Sequence, residues 1–166
     1  MKHFSKLFLL FVATFVATSS SSAQSGWVSQ SSGTTNLLVG VFFTDANSGM
    51  AVGGNPGSGI ILHTTNGGAT WTSQPSGTTN DLRGVYFTDA STGTAVGTGG
   101  TIRRTTNAGT TWTGQASGTT NDLYGVFFTD ASTGTAVGSS GTIRRTTNGG
   151  ATWTSQPSGT IQVLKG

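Results

Sequence analysis

The sequence predicts an all-β protein built from propeller-type blades, each a four-stranded antiparallel sheet, and three observations carry that reading. Four tryptophans, Trp27, Trp71, Trp112 and Trp153, are spaced 44, 41 and 41 residues apart. The units that open at Trp71 and Trp112 agree at 33 of 41 positions, so they are duplicates of one element rather than chance likenesses. No stretch after residue 23 combines a helical apolar period with helix-forming residues, and the 27 glycines with abundant threonine oppose helix throughout.

The elements follow in order. Lys2 and Lys6, the apolar run from Leu7 to Ala17 and the small residues from Thr18 to Ala23 have the make-up of a secretory signal peptide over 1–23. Ser21 and Ala23 suit a signal peptidase site, so the mature chain is expected to be 24–166, starting at Gln24. An uncleaved anchor is the alternative reading of that segment. Repeats cut at tryptophan cover 27–70, 71–111 and 112–152, and an incomplete fourth opens at Trp153. Within a unit, Leu82 to Phe87 is a strand by its apolar and aromatic content, and Thr88 to Gly93 a turn by composition. Thr94 to Gly97 and Thr101 to Thr105 are two further strands around a corner at Gly99-Gly100. Asn107-Ala108-Gly109 then turns the chain into Thr111-Trp112-Thr113, and Pro75 and Gly77 mark the boundary between units. The first unit carries three extra residues around Asn55-Pro56-Gly57, as a lengthened hairpin would. Each sheet has two faces to cover, so Val85, Phe87, Val96, Ile102 and Trp112 are expected to make contacts between neighbouring sheets.

Charge and composition narrow the function. Removal of Lys2 and Lys6 lowers the formal charge from +3 to +1, which removes any case from net charge for nucleic acid or an anionic membrane. Without cysteine there is no disulfide scaffold and no thiolate metal site. Nothing after residue 23 approaches the length of a spanning apolar helix. The product is therefore expected to be exported, to the periplasm, the cell surface or the medium, with no cofactor, no metal and no membrane span in the mature chain.

Three stretches, Thr64 to Trp71 (TTNGGATW), Thr105 to Trp112 (TTNAGTTW) and Thr146 to Trp153 (TTNGGATW), resemble the Asp-box or BNR repeat. Its pattern is Ser/Thr, any, Asp/Asn, any, Gly, any, Thr/Ser, Trp/Phe. The wider pattern LxGVxFTDAxTGxAVGxxGTIxRTTNGGxTW resembles the propeller domain of the photosystem II assembly and stability factors and their bacterial relatives, over 27–160. That resemblance implies a structural role at the blade edge for Thr64, Asn66, Gly68, Thr70 and Trp71, and for their copies Thr105, Asn107, Gly109, Thr111 and Trp112 and Thr146, Asn148, Gly150, Thr152 and Trp153. It also implies a non-enzymatic domain that holds a protein partner, and a photosynthetic setting where the likeness extends that far. Sialidases, xyloglucan-degrading enzymes and sorting receptors share such propellers, so the resemblance speaks to fold more than to function. Three units and a fragment fall short of the about four to eight blades that close a ring. Either the chain is part of a longer repeat protein, or several chains close a ring as a homo-oligomer.

The side chains able to carry chemistry are few. Asp45, Asp89 and Asp130 recur inside FTDA, where a carboxylate caps its own turn. Asp81 and Asp122 recur before the first strand of their units. Glycoside hydrolysis needs two carboxylates in different protonation states across one bond, an asymmetry that copies in equivalent blades do not supply, and the chain has no glutamate beyond its five aspartates. No enzyme activity is expected. Arg103-Arg104 and Arg144-Arg145 form two rows with Leu62-His63, and strand alternation sends one member of each pair to either face. They are the candidates for binding an acidic protein partner, beside the plainer reading of a solvated face. A carbohydrate-binding module and a purely structural segment are the other readings. Sequencing the N-terminus of the exported protein should return Gln24; Met1 retained in a membrane fraction would overturn the leader assignment.

Overall fold

A computed structural model describes residues 29–165, and the expected leader, its cleavage site and Trp27 lie outside the described residues. The chain forms twelve strands: β1 (Leu38–Phe43), β2 (Gly49–Asn55), β3 (Ser58–Thr64), β4 (Thr72–Gln74), β5 (Leu82–Phe87), β6 (Gly93–Gly97), β7 (Ile102–Thr105), β8 (Thr113–Gln115), β9 (Leu123–Phe128), β10 (Gly134–Gly138), β11 (Ile143–Thr146) and β12 (Thr154–Gln156). They make three antiparallel meanders of four strands, β1 to β4, β5 to β8 and β9 to β12, which are the blades. The first strands contact in succession, β1 with β5 and β5 with β9, whereas β4, β8 and β12 make their main contacts with their own sheets and so form the rim. No helix among the described residues is long and apolar enough to cross a membrane.

The expected strand at 82–87 is found as read, and the two after it agree within a residue. Two details differ. The fourth strand starts one residue beyond the tryptophan, and that strand closes the sheet before it, so units cut at tryptophan run one strand out of phase with the blades. A register shift between Leu82 and Gly84, repeated in β1 and β9, marks a bulge where each inner strand enters its sheet.

Period-2 alternation decides what lies between blades. Met50, Val52 and Ile61 of the first blade meet Leu82, Val85, Phe87, Ala95 and Trp112 of the second. Val96 and Ile102, on the other face of the second blade, meet Leu123, Phe128, Ala136 and Trp153 of the third. The five residues expected to make these contacts all do so, and the seams contain most of the hydrophobic core. Phe42, Tyr86 and Phe127, equivalent residues of the inner strands, run from blade to blade with ring centroids 5.0 and 4.9 Å apart.

The Asp boxes hold the turn before each rim strand. Thr64 Oγ1 donates to Asn66 Oδ1 at 3.0 Å and accepts from Gly68 N at 2.9 Å. Asn66 Oδ1 also accepts from Thr70 N at 2.9 Å, while its Nδ2 donates to Thr70 Oγ1 at 2.9 Å. The same bonds recur in the copies at 105–111 and 146–152. In these turns Gly68, Gly109 and Gly150 have φ of 88, 81 and 88°, where glycine is free of the strain a Cβ would bring. Below each turn the tryptophan meets a phenylalanine edge-on, in the pairs Phe43–Trp71, Phe87–Trp112 and Phe128–Trp153.

Trp112→Ala should lower stability in chemical denaturation by about 3 to 5 kcal/mol, because the ring is buried in a seam. Gly109→Ala should lower it by about 1 kcal/mol or more, since φ is 81° and a Cβ would press on Met50 Cε of the first blade. Near-zero losses for both would place the box at the surface.

Candidate functional site

Chain direction gives every blade the same two ends. One end collects the turns between first and second strands together with the Asp boxes; the other collects the hairpins between second and third strands and the linkers that cross to the next blade. The first end is built from repeated hydrogen bonds. Asp45 Oδ1 accepts from Asn47 N and Ser48 N at 2.7 and 2.9 Å, and Asp130 Oδ1 accepts from Ser132 N and Thr133 N at 2.7 and 2.8 Å. Asp89 accepts from the Ser91 hydroxyl as well as from Ser91 N and Thr92 N. These bonds favour the charged form and hold all three carboxyls below their ordinary value, Asp89 at about 2 with the Ser91 hydroxyl as the largest cause.

The four arginines expected to meet a partner divide by strand face. Arg103 Nε donates to Ser76 O of the linker from the first blade at 3.0 Å, and its Nη2 donates to Trp112 O at 2.6 Å. Burial lowers the Arg103 pKa from its ordinary value. Arg144 is buried and donates to Trp153 O at 2.9 Å. Both guanidiniums therefore tie a rim strand to its own blade, and Arg103 also ties the blade to the linker before it. Arg104 lies half-buried beside the Gly149 turn of the next blade, and Arg145 is exposed. The row Leu62, Arg103 and Arg144 is thus structural in the two blades that carry arginine. In the other row the guanidiniums of Arg104 and Arg145 make no hydrogen bond to the described residues, and His63 Nε2 pairs with Ser48 Oγ at 3.4 Å.

The second end is where the blades stop being copies. Among strand positions, Val39, Arg83 and Tyr124 are one equivalent site with three different side chains, and the lengthened hairpin Asn55-Pro56-Gly57 stands beside it in the first blade only. Arg83 Nη2 donates to Asp81 Oδ2 at 3.2 Å, the one salt bridge among the described residues. In the third blade the copy of Asp81, Asp122, instead accepts from Gly99 N of the second blade's hairpin at 2.8 Å. Around the Asp81–Arg83 pair, Pro56, Gly57, Thr79, Asn80 and Thr98 line an open hollow of about 420 Å³. The pair leaves Asp81 Oδ1 and Arg83 Nε without hydrogen-bond partners. A larger hollow, about 610 Å³, lies along the turn from Gln30 to Thr35 and contains no charged side chain.

The Asp81–Arg83 pair is absent from the sequence-based candidates, although one signal pointed to it. Arg83 is the basic residue that breaks the repeat, whereas the arginine pairs draw attention because they obey it.

No protein-family model and no curated protein matches the chain. Solved structures do match it, and they carry propellers. YCF48 bound to D1 peptide superposes with a TM-score of 0.69 at 21% identity, over 80% of this chain and 43% of that one. YCF48 from Cyanidioschyzon merolae gives 0.63 at 24% identity, over 76% and 41%. The GH74 enzyme of Niastella koreensis gives 0.56 at 26% identity, over 72% of this chain and 22% of that one. The chain spans about two fifths of the length of the YCF48 structures, and the likeness establishes the blade architecture.

Asp89 has the pH signature that follows from its turn. Its folded pKa of about 2 lies below the unfolded value, so its contribution to stability is complete above about pH 4 and is lost as pH falls towards 2. Asp89→Ala should flatten that part of the stability profile measured by denaturation between about pH 5 and about pH 2; an unchanged slope would show that the turn bonds do not favour the carboxylate.

Proposed function

We propose that this chain is an exported, non-enzymatic propeller-type module that holds a protein partner, and that the partner sits on the end formed by the hairpins and linkers. The observation that carries the reading is the Asp81–Arg83 pair in its open hollow, at the strand position where the three blades differ. Residues constrained only by the fold stay alike in duplicated blades, so a charged pair confined to one blade serves something other than the repeat. An arginine fork with a neighbouring carboxylate offers both donors and an acceptor to a peptide group. The fold likeness to YCF48 bound to D1 peptide supports a peptide-bearing partner. The absence of catalysis is part of the same proposal. The five aspartates are each engaged, three in turns, one on a hairpin amide and one in the ion pair. Export rests on Lys2, Lys6 and the apolar run that follows them. Arg104 and Arg145 remain available for an acidic contact, and a role like that of an assembly factor falls within this reading.

Fold likeness to a GH74 enzyme favours a carbohydrate ligand as the second reading. Against it, Trp112 and Trp153 are buried in seams, where neither offers a face to a sugar.

Exported and membrane fractions of the native cells supply the test. Wild-type protein should recover a protein partner that the Asp81→Asn, Arg83→Gln double variant loses by about tenfold, with recovery falling as salt rises from about 0.05 to 0.5 M. Arg104→Gln with Arg145→Gln measures the share of the arginine row. Equal recovery by all three proteins would remove the site, and binding to xyloglucan in place of a protein would establish the carbohydrate reading.

A further inference from the structure

Two of the eight asparagines, Asn66 and Asn148, are followed by glycine, and both are the central residue of an Asp box. The box of the second blade has Asn107 followed by Ala108 in the same place. An asparagine side chain and the next main-chain nitrogen can close a five-membered ring, and glycine leaves that nitrogen least hindered because it has no Cβ. Asn66 and Asn148 are both exposed to the water that the reaction consumes. The box prepares the electrophile as well. Asn66 Oδ1 accepts from Thr70 N at 2.9 Å and from the Thr64 hydroxyl at 3.0 Å, and Asn148 Oδ1 accepts from Thr152 N and the Thr146 hydroxyl at the same two distances. Donors placed on a carbonyl oxygen favour addition at its carbon, because negative charge develops on that oxygen.

The nucleophile alone is withheld. Gly67 N donates to Asn47 O and Gly149 N to Ser132 O, both at 2.8 Å, as Ala108 N donates to Ser91 O at 2.9 Å. Each acceptor belongs to the turn that an aspartate caps in the same blade. Asp45 Oδ1 holds Asn47 N and Ser48 N, and Asp130 Oδ1 holds Ser132 N and Thr133 N. While that turn is closed, the glycine proton is held by a carbonyl and is kept from base.

We propose that Asn66 and Asn148 are sites of intramolecular deamidation, and that the aspartate-capped turn beside each is its gate. When the turn opens, base takes the proton of Gly67 N, the nitrogen forms a bond to Asn66 Cγ, and the Cγ–Nδ2 bond breaks with loss of ammonia. Water then opens the cyclic imide at one carbonyl or the other, so asparagine and water become ammonia and either aspartate or isoaspartate. Asn148 and Gly149 react in the same way. The two products differ in consequence. Aspartate keeps an oxygen for Thr70 N and the Thr64 hydroxyl, so the box survives with an added negative charge. Isoaspartate routes the main chain through Cβ and Cγ, and the extra carbon pulls Gly68 N and Thr70 N from their acceptors. Asp45 and Asp130 thus set the lifetime of a box as well as its shape. The partner-holding end takes no part, so this proposal stands or falls apart from the proposed function.

Peptide mapping by mass spectrometry, on the full chain warmed in mildly alkaline buffer, tests the gate. In denaturant Asn66 and Asn148 should convert to aspartate and isoaspartate faster than Asn107, and in folded wild type both should slow by about a hundredfold, because reaction then awaits local opening. In the folded chain Asp45→Ala should raise the rate at Asn66 by about tenfold and leave Asn148 unchanged, since bonds to a charged acceptor are lost in one turn only. Asp130→Ala should do the reverse. Adding Gly67→Ala should cancel the gain at Asn66, and the fold accepts alanine there, as Ala108 with φ of 53° shows in the second blade. Circular dichroism identifies a variant that unfolds; Asp45→Asn and Asp130→Asn, which keep an acceptor without its charge, then replace it and should give a smaller gain at the same asparagine. Equal rates in folded and denatured wild type, or folded variants that accelerate neither asparagine or both alike, would overturn the proposal.

Discussion

A sheet of four short strands has two faces and almost no interior, so it is stable only when both faces are covered, and the seam between blades is the interaction on which the rest of this structure depends. Alternation along each strand serves both seams at once. In the second blade Val85, Phe87, Ala95 and Trp112 turn to the first blade, and Val96 and Ile102 turn to the third. A slip of one residue would send every one of these side chains to the opposite seam. Register is fixed at both ends of the inner strand, by the bulge at its start and the aspartate-capped turn at its end. The polar turn chemistry is therefore in the service of apolar packing.

The same dependence explains why two arginines lie in positions that would otherwise be apolar. Leu62 of the first blade is buried, and its counterparts Arg103 and Arg144 reach along the seam to carbonyls that would lack donors there. A leucine covers area, whereas an arginine covers area with its stem and satisfies main-chain acceptors with its head. Close approach at the linker follows: a Cβ on Gly77 would meet the Arg103 guanidinium, and one on Gly118 would meet that of Arg144.

Much of the fold was legible because duplication repeats its evidence. Trp112, Asn107 and Gly109 mean little singly, but at fixed spacing in three units they define a turn, a packed ring and a rim strand. The phase of the blade was harder to read. Tryptophan is the most visible landmark, yet it precedes the last strand of a sheet rather than the first, and the sheet boundary falls in a linker of small residues. For the candidate site the same repetition drew attention to one set of residues and away from another. It singled out the paired arginines, of which Arg103 and Arg144 prove to be seam residues, and it passed over Arg83, whose partner Asp81 becomes meaningful only once the bulge and the long hairpin are placed beside it.

Repetition also limits where function can reside. At the end that carries the boxes, a side chain that departs from the pattern breaks a cap, opens a turn and disturbs a seam, so the three blades remain close to identical there. At the opposite end the hairpins and linkers tolerate Asn55-Pro56-Gly57 in one blade and the 3₁₀ turns Thr98–Gly100 and Ser139–Gly141 in the others. Asp122 shows what the pattern does when it is kept: its carboxylate accepts from Gly99 N of the preceding hairpin and joins two blades. In the second blade the lengthened hairpin stands in that place, and Asp81 turns to Arg83. One insertion in the first blade thus releases a carboxylate in the second from a structural bond, and a strand position that is apolar or aromatic in the other blades supplies the cation beside it. A polar site unlike anything else in the molecule arises in this way without disturbing a single seam.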